Sequence, residues 1–154
     1  MDPAPAPMPI DDPALAEHKL LVVVGAHLRA EVDHRPIAYR LGADLERRLA
    51  CVGSSDPVLV CTDLWYLNDD NLRTLPTISI GGPEVNAFSA FLGGRLPSAF
   101  AIDGELVVQL DLERLDLVAC CWGAGPEATQ SAVDAFCERY ADLFVDEAIK
   151  RFGR

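Results

Sequence analysis

Residues 19–26 read Lys-Leu-Leu-Val-Val-Val-Gly-Ala, and the uniformity of that run constrains the fold more than any other feature. A strand with one face in water alternates polar and apolar residues. A strand covered on both faces does not, and a short Val-rich run without alternation is its mark. Residues 58–62 behind Pro57, residues 77–80, and residues 115–122 (Leu-Asp-Leu-Val-Ala-Cys-Cys-Trp) have the same character. Each run therefore predicts a buried strand with a layer above and a layer below.

The segments between the runs supply helices. Ile37, Leu41, Leu45 and Leu49 recur every four residues as one buried stripe, with Arg40, Asp44, Arg47 and Arg48 on the other side. Asp33 is placed to cap this helix, and Pro36 suits its first turn. A second helix is expected over 83–92, closed by Gly93-Gly94, and one long helix from Pro126 to about Phe152. Residues 63–76 read as a polar loop with at most one helical turn. Asp103-Gly104 between apolar runs at 99–102 and 105–110 predicts a hairpin at a sheet edge. Strands alternating with helices across short Gly-rich joints imply a three-layer α/β sandwich, Rossmann-like and specifically flavodoxin-like, with a mostly parallel sheet and one β-hairpin. Residues 17–154 are expected to form this single domain. Residues 1–16, with five prolines, are expected to be a tail without regular structure.

Charge and cysteine content bear on partners and location. Lys and Arg number 13 and Asp and Glu 24, a formal net charge of −11. Phosphate backbones and anionic membrane surfaces are repelled by such a field, so neither nucleic acid nor membrane is an expected partner. No basic, then apolar leader opens the sequence, and no run approaches the ~18 apolar residues of a membrane span. The five cysteines are odd in number, and several lie in apolar runs where a thiol packs as a small hydrophobe. Free thiols and a cytoplasmic address are expected.

In a sheet of this kind ligands collect at the carboxyl ends of the strands. The addresses are Ala26-His27, Thr62-Asp63, Gly81-Gly82 and Trp122-Gly123. His27, Asp63 and Cys121 are the candidate catalytic groups, with Cys121 as nucleophile and His27 as base if their strands are neighbours. Packing is the simpler account of a buried cysteine. Asp63, Asn68, Asp69, Asp70 and Asn71 form an acidic cluster without the alternation and glycine of a calcium loop, so no metal site is expected. Trp65 and Tyr66 either hold a ligand or partner, or fold back on the core. His34 and Arg35 are read as residues that start a helix. No G-x-G-x-x-G follows the first strand, and neither a G-x-S-x-G elbow nor a C-x-x-C pair is present. Pro83 and Pro126 remove N–H groups that a phosphate would need, while Glu84 and Glu127 already place negative charge at those joints. No cofactor is expected.

Two joints echo one another: Ile80-Gly81-Gly82-Pro83-Glu84 leading to Asn86, and Gly123-Ala124-Gly125-Pro126-Glu127 leading to Thr129 and Ala132. Over residues 76–137 this pattern resembles the Rossmann-like repeat of archaeal surface-layer proteins and, more loosely, bacterial cell-wall-binding repeats. The resemblance implies the fold and a habit of scaffold or surface binding, with Asn86 and Thr129 as the matching motif positions. Those families are exported and poor in cysteine, so the expectation carried over is the fold. Residues 118–123 also resemble the nucleophile strand of caspase-like peptidases, but His27 is followed by Leu28 where that family has His-Gly. The reading that results is a non-catalytic cytosolic domain that binds a protein partner or itself through its acidic face and the Trp65 loop. The alternative is a small, possibly Cys-dependent hydrolase working at the strand ends.

Overall fold

The computed structural model describes residues 12–111 and 116–153. The chain runs β1 (Leu20–Val24), α1 (Leu28–Asp33), α2 (Arg35–Cys51), β2 (Val58–Thr62), α3 (Asp63–Leu67) and β3 (Thr77–Ile80). It continues through α4 (Ala87–Leu92), β4 (Ser98–Ile102), β5 (Leu106–Leu110), β6 (Val118–Gly123), α5 (Pro126–Arg139) and α6 (Ala141–Arg151). One six-stranded sheet has the order β2-β1-β3-β6-β5-β4. β2, β1, β3 and β6 are parallel, β5 is antiparallel to β6, and the β4–β5 hairpin closes one edge. This is the three-layer, mostly parallel sandwich with one hairpin.

The uniform strands divide their side chains between two cores, because successive residues point to opposite faces. Leu20, Val22 and Val24 of β1 join α2, α5 and α6 in the larger core, which includes Leu45, Phe136 and Phe144. Leu21 and Val23 turn the other way, onto Tyr66 of α3 and Phe88 and Leu92 of α4. Cys121 and Cys120 divide in the same manner, Cys121 into the first core and Cys120 into the second. With every residue of β1 fully buried, no polar alternation is possible.

Five expectations need correction. The loop expected over 63–76 holds two helical pieces, α3 and a 3-10 turn at Leu72–Thr74. The helix after β1 is two helices: α1 is capped by His27, whose Nδ1 accepts from the Arg29 amide at 3.1 Å, and α2 follows at His34. Asp33 ends α1 and does not cap α2. Pro36 has no N–H to continue α1's ladder, so the chain turns there. The helix expected from Pro83 starts at Ala87, because Asn86 accepts from the Phe88 and Ser89 amides while residues 82–85 make a turn. The single terminal helix is broken at Tyr140, whose hydroxyl donates to the Ala99 carbonyl of the hairpin at 3.0 Å. The break lets α6 fold back toward α2, where Arg48 pairs with Asp142 at 2.7 Å. Finally, Pro13–Leu15 forms a 3-10 turn capped by Asp12 and held by Lys19, which donates to the Ala14 and Ala16 carbonyls. The rest of the expected tail, residues 1–11, lies outside the described residues, as does the start of the 115–122 run.

Candidate functional site

The strand order places the topological switch between β1 and β3, where β2 leaves to one side and β3 to the other. In folds of this kind the crevice at that point is the ligand site. Here the chain fills it. The turn over residues 82–86 lies so close to the end of β1 that a Cβ on Gly25 would stand 1.7 Å from the Val85 carbonyl oxygen.

Two side chains hold the turn in place. Asn86 is 1% exposed. Its Nδ2 donates to the Ile80 carbonyl at 2.9 Å, the Ser79 hydroxyl at 3.0 Å and the Val23 carbonyl at 3.3 Å, while its Oδ1 caps α4. Asp63 is buried and bridges both sides of the switch. Its Oδ1 accepts from the Ala26 amide at 2.9 Å and its Oδ2 from the Ala87 amide at 2.8 Å. Ser79, Ser89 and Cys120 extend the buried polar network beneath α4: the two hydroxyls are 2.8 Å apart, and the thiol donates to Ser89 at 3.3 Å. At the second joint Thr129 accepts from the Gly123 amide at 3.1 Å and is equally buried. The polar groups of Asn86 and Thr129 thus serve the chain itself.

The three catalytic candidates do not converge. β3 stands between β1 and β6, so the strands that end near His27 and at Cys121 are not neighbours. Two strand spacings of about 4.8 Å separate them. His27 is exposed and caps α1, while Cys121 is fully buried in the larger core. Burial raises the Cys121 thiol well above its ordinary range, the wrong direction for a nucleophile. Burial likewise pushes Cys61 and Cys137 up to about 12 and Cys120 up to about 11.

The aromatic pair separates. Tyr66 folds into the smaller core, its ring centroid 4.4 Å from that of Phe88, whereas Trp65 is 42% exposed. Thr62 starts α3 by accepting from the Trp65 amide at 3.2 Å. In the acidic cluster Asp69 accepts from the Asn71 and Leu72 amides, and Asn68 donates to the Leu64 carbonyl. Among the described residues no group of three or more His, Cys, Asp or Glu is placed to hold a metal ion. Nor is any of their helices long and apolar enough to cross a membrane.

His34 starts α2 as expected, but its burial was not legible in the sequence. It sits between α1 and α2, is 7% exposed, and has no hydrogen-bond partner for Nδ1 among the described residues. Burial lowers its pKa below 6.5, against the pull of Asp33 and Glu84 and with the push of Arg29. It lines a very small cavity of about 20 Å³ with Gly82, Glu84 and Gly125. That is space for about one water.

What the strand ends do present is apolar surface. Leu28 and Val32, one helical turn apart on α1, are 78% and 66% exposed, and Leu64 of α3 is 59% exposed. Since β1 and β2 pair in parallel and Asp63 ties their joints together, α1 and α3 begin side by side at the same end of the sheet. The chain matches no protein-family model, and no curated protein matches it.

Proposed function

We propose that this chain is a non-catalytic binding domain, working in the cytoplasm, that docks a protein partner or a second copy of itself. The observation that carries the reading is the apolar rim of Leu28, Val32, Leu64 and Trp65 at the end of the sheet where this fold normally keeps its ligand. A large exposed hydrophobe is ordinary by itself. Four at the same sheet end, in a chain of charge −11, form a surface suited to being covered. The filled crevice supports the same reading, because the space left beside it, among His34, Gly82 and Gly125, is about 20 Å³, room for about one water. The five free thiols fit a reducing compartment, and the net charge disfavours nucleic acid.

The competing reading, a small hydrolase, needs His27, Asp63 and Cys121 in one pocket, and Cys121 is buried in the larger core with β3 between its strand and β1. The test is a photo-crosslinking residue placed at position 65, with a control at exposed Glu127. Position 65 should yield one discrete adduct, either a homodimer or one partner, and position 127 none. Absence of an adduct at position 65, or equal adducts at both positions, rejects the rim as a docking surface.

A further inference from the structure

The face of the sheet covered by α3 and α4 holds a groove of about 770 Å³, within the range of roughly 300–1,000 Å³ typical of ligand clefts. Its floor is aromatic. Tyr66 packs on Phe88, and Phe88 stacks with Phe91 at 6.3 Å, leaving Phe91 40% exposed. Trp65 is not among the lining residues, so the groove is separate from the rim.

Guanidiniums and carboxylates both surround this floor. Arg35, Arg47 and Arg48 all pair with carboxylates. Arg73 and Arg95 both line the groove, and neither has a carboxylate partner among the described residues. Arg95 is nevertheless held in place: its guanidinium lies 3.9 Å over the Phe91 ring and donates to the Phe91 carbonyl at 2.8 Å. The planar fork therefore stands over the aromatic floor with further donors to offer. Asp70, Asp111 and Asp116 also line the groove. Carboxylates set beside the guanidiniums oppose a phosphate dianion. A wholly apolar ligand would bury the guanidiniums without a partner, which is costly. A ligand that satisfies both signs and covers the rings is a zwitterion with an apolar body.

We infer that the groove binds a short peptide with free termini and an apolar or aromatic side chain. Its carboxylate lies against Arg95 and Arg73, its ammonium lies against Asp70 or Asp116, and its side chain rests on Phe91 and Phe88. Charge-assisted forks of this kind are the strong, geometrically selective contacts in such recognition. The inference does not depend on the rim.

The experiment is calorimetric titration of the full chain with the dipeptide Phe-Leu, its C-terminal amide, its N-acetyl form, and inorganic phosphate. Saturable binding of free Phe-Leu is expected, with loss of about tenfold or more on amidation, as when a charge-assisted contact is removed. Arg95→Ala should weaken the free dipeptide by the same factor and make it indistinguishable from the amide. Arg95 is exposed, so this variant should keep the wild-type melting temperature. Leu28→Ser in the rim should leave the affinity unchanged. Failure of Phe-Leu to bind overturns the inference. So does binding indifferent to both amidation and Arg95→Ala, or phosphate binding that competes with the dipeptide.

Discussion

The imidazole of His34 lies against the backbone of Gly81, so closely that a Cβ on that glycine would stand 2.5 Å from Nδ1. Gly81 also has φ +102°, a conformation that L side chains rarely adopt. The close packing at the β3 joint thus depends on the first glycine of Gly81-Gly82. At Gly82 an added Cβ would meet the Glu84 carboxylate, the movable end of a side chain, and at Gly125 it would meet nothing within 4 Å. Gly81→Ala should cost about 3 kcal/mol, roughly 6–12 °C of melting temperature at this chain length. Gly125→Ala should stay within about 0.5 kcal/mol. Thermal denaturation of the two variants side by side checks both figures.

The same contact sets a pH dependence. Burial lowers the folded-state pKa of His34 from 6.5, so between the two values the unfolded chain binds more protons than the folded one. Stability is therefore full above 6.5, falls as the pH drops toward the lowered folded value, and levels off below it. Asp33 and Glu84 face the ring and moderate the effect, while Arg29 reinforces it. Urea midpoints at pH 7.5 and 5.5 should differ more for the wild type than for His34→Gln. Equal differences would show that His34 does not titrate against the fold.

Thiol reactivity should follow burial. Cys51 is exposed, whereas Cys61, Cys120 and Cys121 are buried and Cys137 is half-buried with a raised pKa. An aromatic disulfide reagent at pH 8 should modify Cys51 quickly and the others slowly, and five thiols should titrate after denaturation without reductant. Rapid reaction at Cys121 in the folded protein would contradict its place in the core.

Asp63 offers a test of the switch-point bridge. Its two oxygens accept from amides on opposite sides of the crevice, so an isostere with one acceptor cannot serve both. Asp63→Asn should lose about 2 kcal/mol, because its amide nitrogen must face either the Ala26 or the Ala87 N–H. Asp63→Ala should lose somewhat more. Chemical denaturation measures the difference, and an Asn variant as stable as wild type would show the bridge to be unimportant.

Local chemistry was enough for the strands. The runs at 58–62 and 77–80 coincide with β2 and β3 residue for residue, because each is short and opened by a proline, although β3 is buried along its whole length and the edge strand β2 only in part. The Asp103-Gly104 turn was equally legible, since Gly104 has φ +72° and few residues besides glycine accept that. Helix ends were read less well. Asn86 outcompetes Pro83 for the start of α4 because its amide also bonds to β1 and β3, contacts that lie 63 and 6 residues away.

The amino-acid sequence by itself determined the layers: which segments are strands buried on both sides, and which helices carry an apolar stripe to cover them. These follow from patterns within a few residues of one another. Only the tertiary structure decided the site. Strand order put β3 between His27 and Cys121, the turn at 82–86 filled the crevice that the fold usually leaves open, and the packing of α3 and α4 brought Arg73 and Arg95 to one groove. Each of these depends on which distant segments come to lie side by side. That choice is made by the summed burial of the whole core, which no local pattern records.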